Sequence, residues 1–133
     1  MTNADTTVAF LDGTYEEALQ MAREARAFVL GQQNAARPKR EPLPRMAVSY
    51  ASLKVTARLT QVIAWLLVRR AVQAGEMTLE EAAAPEYRLS GQEACAEAMP
   101  VPADSLPEAL TDLMERSLRL YERIARLDSM MDD

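Results

Sequence analysis

The stretch Arg58-Leu59-Thr60-Gln61-Val62-Ile63-Ala64-Trp65-Leu66-Leu67-Val68-Arg69-Arg70-Ala71-Val72-Gln73-Ala74-Gly75 decides the fold. It is the second half of a segment, from about Pro44 to Ala74, whose interior holds neither proline nor glycine. Gly75 then supplies the left-handed residue that commonly closes a helix. The spacing predicts one helix over about 44–74, ~45 Å long at 1.5 Å per residue. At 100° steps one apolar set is Val48, Val55, Leu59, Val62, Ile63 and Leu66, and a second is Met46, Tyr50, Leu53, Ala57, Ala64, Val68 and Ala71. Together they cover well over half the circumference, whereas a helix on a single core needs a stripe little more than ~100° wide. One neighbour therefore does not cover both, and Tyr50, Leu53, Ala57, Ala64 and Val68 are the candidate interface of a homodimer. The third stripe is the row Lys54, Arg58, Gln61, Trp65 and Arg69. It is basic and carries the only tryptophan of a chain whose net charge is −5. Two readings stand for it: a seam against another helix, or a partner-binding surface anchored by Trp65 and its arginines, the types enriched among binding hot spots.

Upstream, Thr14-Tyr15-Glu16-Glu17 has the form of a capping box, which predicts a first helix over about 14–30, ending before Gly31. Its apolar positions Ala18, Met21, Ala22, Ala25, Phe28 and Val29 recur at three- and four-residue steps. The short apolar run Val8-Ala9-Phe10-Leu11 is expected to lie over the end of the bundle. Between Gly31 and Pro44, three prolines and the cluster Arg37, Lys39 and Arg40 read as a solvated loop. Downstream, Thr78 and Glu81 form a second capping pattern, and Pro85 must end that helix quickly by disfavouring α geometry at Ala84. The whole of 76–104 reads as an irregular connection, long for a compact domain. Ser105-Leu106-Pro107-Glu108 combines a serine cap with a first-turn proline and a glutamate, so the last helix is expected over about 106–128. Leu110, Leu113, Ser117, Leu120, Ile124, Leu127 and Met131 give it a seam with one serine in it. The sum is an all-α single domain over 1–133, a three-helix bundle with a long central helix, antiparallel packing and a homodimeric state.

Composition narrows what such a bundle does. Hydrophobic residues at 49% and charged residues at 26% are ordinary globular proportions. The acidic balance gives no general attraction to nucleic acid. The uninterrupted apolar run Val62–Val68 is far shorter than the ~20 residues of a membrane span. The first residues lack the positive flank and apolar core of a secretory signal. Cys95 is the single cysteine and forms no intrachain disulfide, so a reducing cytoplasm is the expected home. The chain has no histidine, which removes the commonest general base and metal ligand. No phosphate loop, zinc spacing or calcium loop appears, and first-turn acids such as Glu16, Glu17, Glu80 and Glu81 are explained by the helix dipole. These observations predict no catalytic residue, no cofactor and no metal, and point to a protein that binds proteins.

The central stretch from Arg58 through Gly75-Glu76-Met77-Thr78 resembles the central helix of the alphaproteobacterial regulator-of-CtrA-degradation (RcdA-like) family. Tyr15-Glu16-Glu17-Ala18, Glu24-Ala25-Arg26-Ala27-Phe28 and Tyr87-Arg88-Leu89 are similar to it too. The resemblance covers most of the chain. It implies a dimeric three-helix bundle that acts as an adaptor in regulated proteolysis, delivering cell-cycle regulators, notably CtrA, to the ClpXP protease. The implied partners are the ClpX unfoldase or co-adaptors and response regulators, and the implied location is the cytoplasm, with recruitment to a cell pole. The rival reading is a structural or regulatory helical dimer that binds signalling proteins without a role in proteolysis.

Overall fold

The computed structural model describes the backbone of residues 3–34, 42–92, 95 and 106–132, and side chains over 6–31, 45–92, 95 and 106–131. Among these residues every regular element is helical: α1 (Asn3–Asn34), α2 (Pro42–Gln73), α3 (Leu79–Ala82) and α4 (Glu108–Ser129), with 3-10 turns at Pro85–Tyr87 and Met130–Asp132. The three long helices each touch the other two. Asp12 meets Arg70, Glu17 meets Arg123 and Glu24 meets Arg116, so α1 runs against both α2 and α4. Arg58 reaches Met114, and Trp65 reaches Asp128. Hence α2 and α4 run parallel to each other, and uniformly antiparallel packing does not hold. A parallel pair forces the chain to travel back along the bundle, which explains the long connection between them.

α1 begins well before Thr14, and the apolar stripe explains why. Leu11, Thr14, Ala18 and Met21 continue at three- and four-residue steps and are all buried, so the first turns gain core burial. Inside the helix the Thr14 hydroxyl donates to the Phe10 carbonyl at 2.8 Å instead of capping. Val8-Ala9-Phe10-Leu11 thus forms helical turns rather than a cover. Gly13 and Gly31 both lie within α1 on its exposed side, where glycine costs ~1 kcal/mol relative to alanine without ending the helix. The basic cluster Arg37, Lys39 and Arg40 lies outside the described residues, as does Ser105. α4 itself begins one residue after Pro107, which stands at the N-cap with no side-chain cap bond rather than in the first turn, since Glu108 is the first residue with helical geometry.

α2 matches its predicted span, with Pro42 and Pro44 in its first turn, where a missing N–H costs nothing. Its end is a Schellman motif. Gly75 has φ 77°, its N–H donates to Val72 O at 3.1 Å, and Glu76 N–H donates to Ala71 O at 2.9 Å. The Thr78 capping box forms as predicted: Thr78 Oγ1 accepts from Glu81 N–H at 3.0 Å and Glu81 Oε1 from Thr78 N–H at 3.1 Å. Ala84 before Pro85 is extended. By length and composition Arg45–Gln73 is apolar enough to cross a membrane, but Val55, Leu59, Val62 and Leu66 of this helix lie in the core with Leu110, Leu113, Leu120 and Ile124 of α4.

Candidate functional site

The row Lys54, Arg58, Gln61, Trp65 and Arg69 faces the returning connection, which lies along the groove between α2 and α4. Arg69 Nη2 donates to Ala82 O at 2.9 Å. Gln61 Oε1 accepts from the Ser90 hydroxyl at 2.8 Å and the Ser90 N–H at 3.2 Å. Arg58 Nε donates to Cys95 O at 2.7 Å. Successive residues of the row therefore hold successive residues of the connection, in opposite directions. This places Lys54, Arg58 and Trp65 inside the fold, with Gln61 and Arg69 half-buried. Lys54 lies over the Tyr50 ring, 5.3 Å from its centroid.

Two polar nodes organise the seam. Asp128, only 3% exposed, accepts from Trp65 Nε1 at 3.0 Å, from Arg88 Nε at 2.9 Å and from Leu89 N–H at 3.2 Å. Burial pushes its carboxyl up, but the hydrogen bonds from Arg88, Trp65 and Leu89 outweigh it and hold the pKa below the ordinary aspartate value. At the other node Arg58, 2% exposed, also donates to Met114 O at 2.9 Å and to the Ser117 hydroxyl at 3.3 Å. The serine in the α4 seam is the small polar group that admits this guanidinium. Burial lowers the pKa of Arg58 and of Arg69 from the usual arginine value. Tyr121 donates to Ser90 O at 2.9 Å, and burial raises its phenol pKa.

Among the described residues, two apolar regions of surface are open. The first is the second apolar stripe of α2. Leu53 is 70% exposed, Ala57 and Ala64 are exposed, and Tyr50 and Val68 are half-buried, all along one side of the helix. A groove of ≈ 410 Å³ between α1 and α2, lined by Phe28, Val29, Thr56 and Thr60 among others, borders that stripe. The second is a cleft of ≈ 460 Å³ at the Gly75 end of the bundle, where Trp65 and Arg69 line the wall. The row is thus a seam whose last two members also border an open cleft. No group of three metal-ligating side chains occurs among the described residues.

Sequence reasoning missed Asp128 and Ser90 as side-chain partners of the row, and Arg88 and Tyr121 as the groups that hold those two in turn. For Asp128 a signal was present: an acid on the apolar side of α4, one step after Leu127 and four after Ile124. The other contacts are made to backbone atoms or lie in an aperiodic segment, where residue type carries no such signal.

A family model described as "Protein of unknown function (DUF1465)" matches residues 2–133. No curated protein sequence matches. The chain is similar to the crystal structure of RcdA from Caulobacter crescentus CB15, with 36% sequence identity and a TM-score of 0.69 over 91% of this chain and 89% of that one.

Proposed function

The chain belongs to the DUF1465 family, and on that footing we propose that it is a non-catalytic, protein-binding adaptor in regulated proteolysis. In this reading it helps deliver cell-cycle regulators such as CtrA to the ClpXP protease, with ClpX or co-adaptors and response regulators as its partners. The likeness to RcdA along almost the whole chain carries the proposal. A sequence without histidine supports it, since acid–base chemistry at neutral pH would have to come from less suited groups.

The working form is a symmetric homodimer joined through the open stripe of α2. Met46, Tyr50, Leu53, Ala57, Thr60, Ala64, Leu67 and Ala71 alternate four- and three-residue steps, the spacing of a helix–helix seam. Met46 is 66% and Leu67 48% exposed in the single chain, an apolar surface that a second copy would cover by two-fold pairing. The alanines allow the two backbones to approach closely.

Binding of the purified chain to purified ClpX and to a purified response regulator tests the reading, with mass measured by light scattering. Binding to either alongside a mass of twice 14.8 kDa is the predicted result. A dimer that binds the response regulator but does not affect proteolysis would favour the structural or regulatory alternative, and a monomer that binds neither would overturn both.

A further inference from the structure

The cleft at the Gly75 end lies where the first turns of α1, the last turn of α2 and the start of α3 converge. Its volume falls within the ~300–1,000 Å³ of ligand pockets. Phe10, Val72, Leu79 and Leu127 make an apolar wall beside the Trp65 ring. Leu79 is 71% and Phe10 41% exposed, so apolar area stands in water at the rim.

One cation is set into this wall. The Arg69 guanidinium stacks 5.1 Å from the Trp65 ring, and its hydrogen bonds go to the Ala82 carbonyl and the Met131 thioether. A thioether is a weak acceptor. Arg69 Nε is buried and, among the described residues, has no hydrogen-bond partner. The nearby Asp128 carboxylate is engaged by Arg88, Trp65 and Leu89. Among the described residues two guanidiniums therefore face one carboxylate, and one positive charge is left over beside hydrocarbon. An apolar occupant alone would leave that charge uncompensated, and an acidic one alone would leave the rim in water.

We propose that the cleft is a docking site for a short peptide segment of a partner protein in which an apolar side chain, leucine or phenylalanine, is followed directly by a carboxylate. The apolar side chain fills the wall between Phe10 and Leu79, and the carboxylate takes the place of the Met131 thioether on Arg69. The inference rests on the adaptor reading and gives it a ligand class.

The test titrates the full chain with the peptide acetyl-Gly-Leu-Phe-Glu-Gly-amide, with its Gln-for-Glu counterpart, and with a counterpart carrying Ser-Ser for Leu-Phe. Fluorescence of Trp65, the only tryptophan, reports occupancy from the cleft wall. The Glu peptide should give a saturable change and bind at least ~10-fold more tightly than the Gln peptide, the factor equivalent to 1.4 kcal/mol, and the Ser-Ser peptide should not bind. Arg69→Gln should erase the distinction between the Glu and Gln peptides. Leu79→Glu alters a rim residue at the start of α3 that is not part of the core, so it should fold normally and lose the Glu peptide even where Arg69→Gln does not fold. Equal binding of Glu and Gln peptides, no response at millimolar peptide, or normal binding by Leu79→Glu would overturn the proposal. So would a Trp65 signal that follows protein concentration without peptide and persists in the Leu53→Glu protein, whose α2 stripe no longer pairs, since that would place a second copy in the cleft. Wild-type protein that accelerates degradation of a cargo but ignores the peptides refutes the cleft alone; protein that does neither refutes the adaptor reading as well.

Discussion

Replacing Asp128 with alanine should cost more than any exposed charge change in the molecule, and the structure says how much. The side chain is nearly fully buried and accepts hydrogen bonds from Trp65, Arg88 and Leu89, which belong to α2 and to the returning connection. Its removal leaves the Trp65 indole N–H and the Leu89 amide without an acceptor, each at ~1–3 kcal/mol. Breaking a fully buried ion pair costs ~3–5 kcal/mol, but the Arg88 side chain is 21% exposed and regains water, which reduces that share. Water entering the space that the carboxylate vacates offsets part of that sum, so a value towards its lower end, about 3–4 kcal/mol, is expected. At ~2.1 cal/mol/K per residue of unfolding entropy, that is a fall in Tm of roughly 10–15 °C for a chain of this length. Thermal unfolding followed by circular dichroism at pH 7 measures it. Trp65→Phe supplies the control: it should destabilise the wild type by ~1 kcal/mol or more and the Asp128→Ala protein by clearly less, since the acceptor is already gone. A Tm within about 3 °C of wild type, or strictly additive effects in that cycle, would refute the assignment of Asp128 as the node that fixes the connection.

Asp128 and Glu24 both have folded pKa values below their ordinary ones, Glu24 through its hydrogen bonds from Arg116, so the unfolded chain binds more protons as pH falls through the carboxylate range. The stability they confer is complete above the unfolded pKa values and is lost as pH drops towards the folded ones; urea midpoints from pH 6 to pH 3 should fall steeply for wild type and less steeply for Asp128→Asn, and parallel curves would contradict the role of Asp128. Arg58→Gln should loosen the connection around Cys95, which is 3% exposed, and raise its rate of alkylation by about tenfold or more through local opening; an unchanged rate would show that the Arg58–Cys95 contact does not hold the segment. Leu53→Glu and Ala64→Glu change exposed positions of α2, so each should retain helical content and convert a species of twice 14.8 kDa into the monomer in light scattering; variants that stay dimeric would move the interface elsewhere.

Most of the helical framework was legible because it obeys periodicity. The span of α2 follows from the absence of proline and glycine after its first turn and from Gly75, whose positive φ the Schellman motif requires. The Thr78 capping box and the break at Pro85 were equally readable, being local chemistry. The start of α1 was misplaced because Thr14-x-x-Glu17 is a local signal, while Leu11 and Thr14 extend the buried stripe through it and tertiary burial prevails. The direction of α4 was not readable from its own seam, since a stripe at three- and four-residue steps serves parallel and antiparallel neighbours alike. It became apparent only from the pairs Arg58–Met114 and Trp65–Asp128. The row on α2 was visible as a row, and a seam was one of its two readings. What it meets was hidden, because Ala82 and Cys95 offer backbone carbonyls, which every residue type has, and Ser90 lies in a segment without periodicity.

The central claim, that this chain speeds the destruction of other proteins without being a protease itself, is tested most directly by reconstituted degradation. Purified ClpXP, ATP, the co-adaptors and CtrA are mixed with and without the chain, and loss of CtrA is followed in time. The account predicts a faster rate that rises with the concentration of the chain and saturates, while the chain itself persists. A rate that stays the same at every concentration would contradict it.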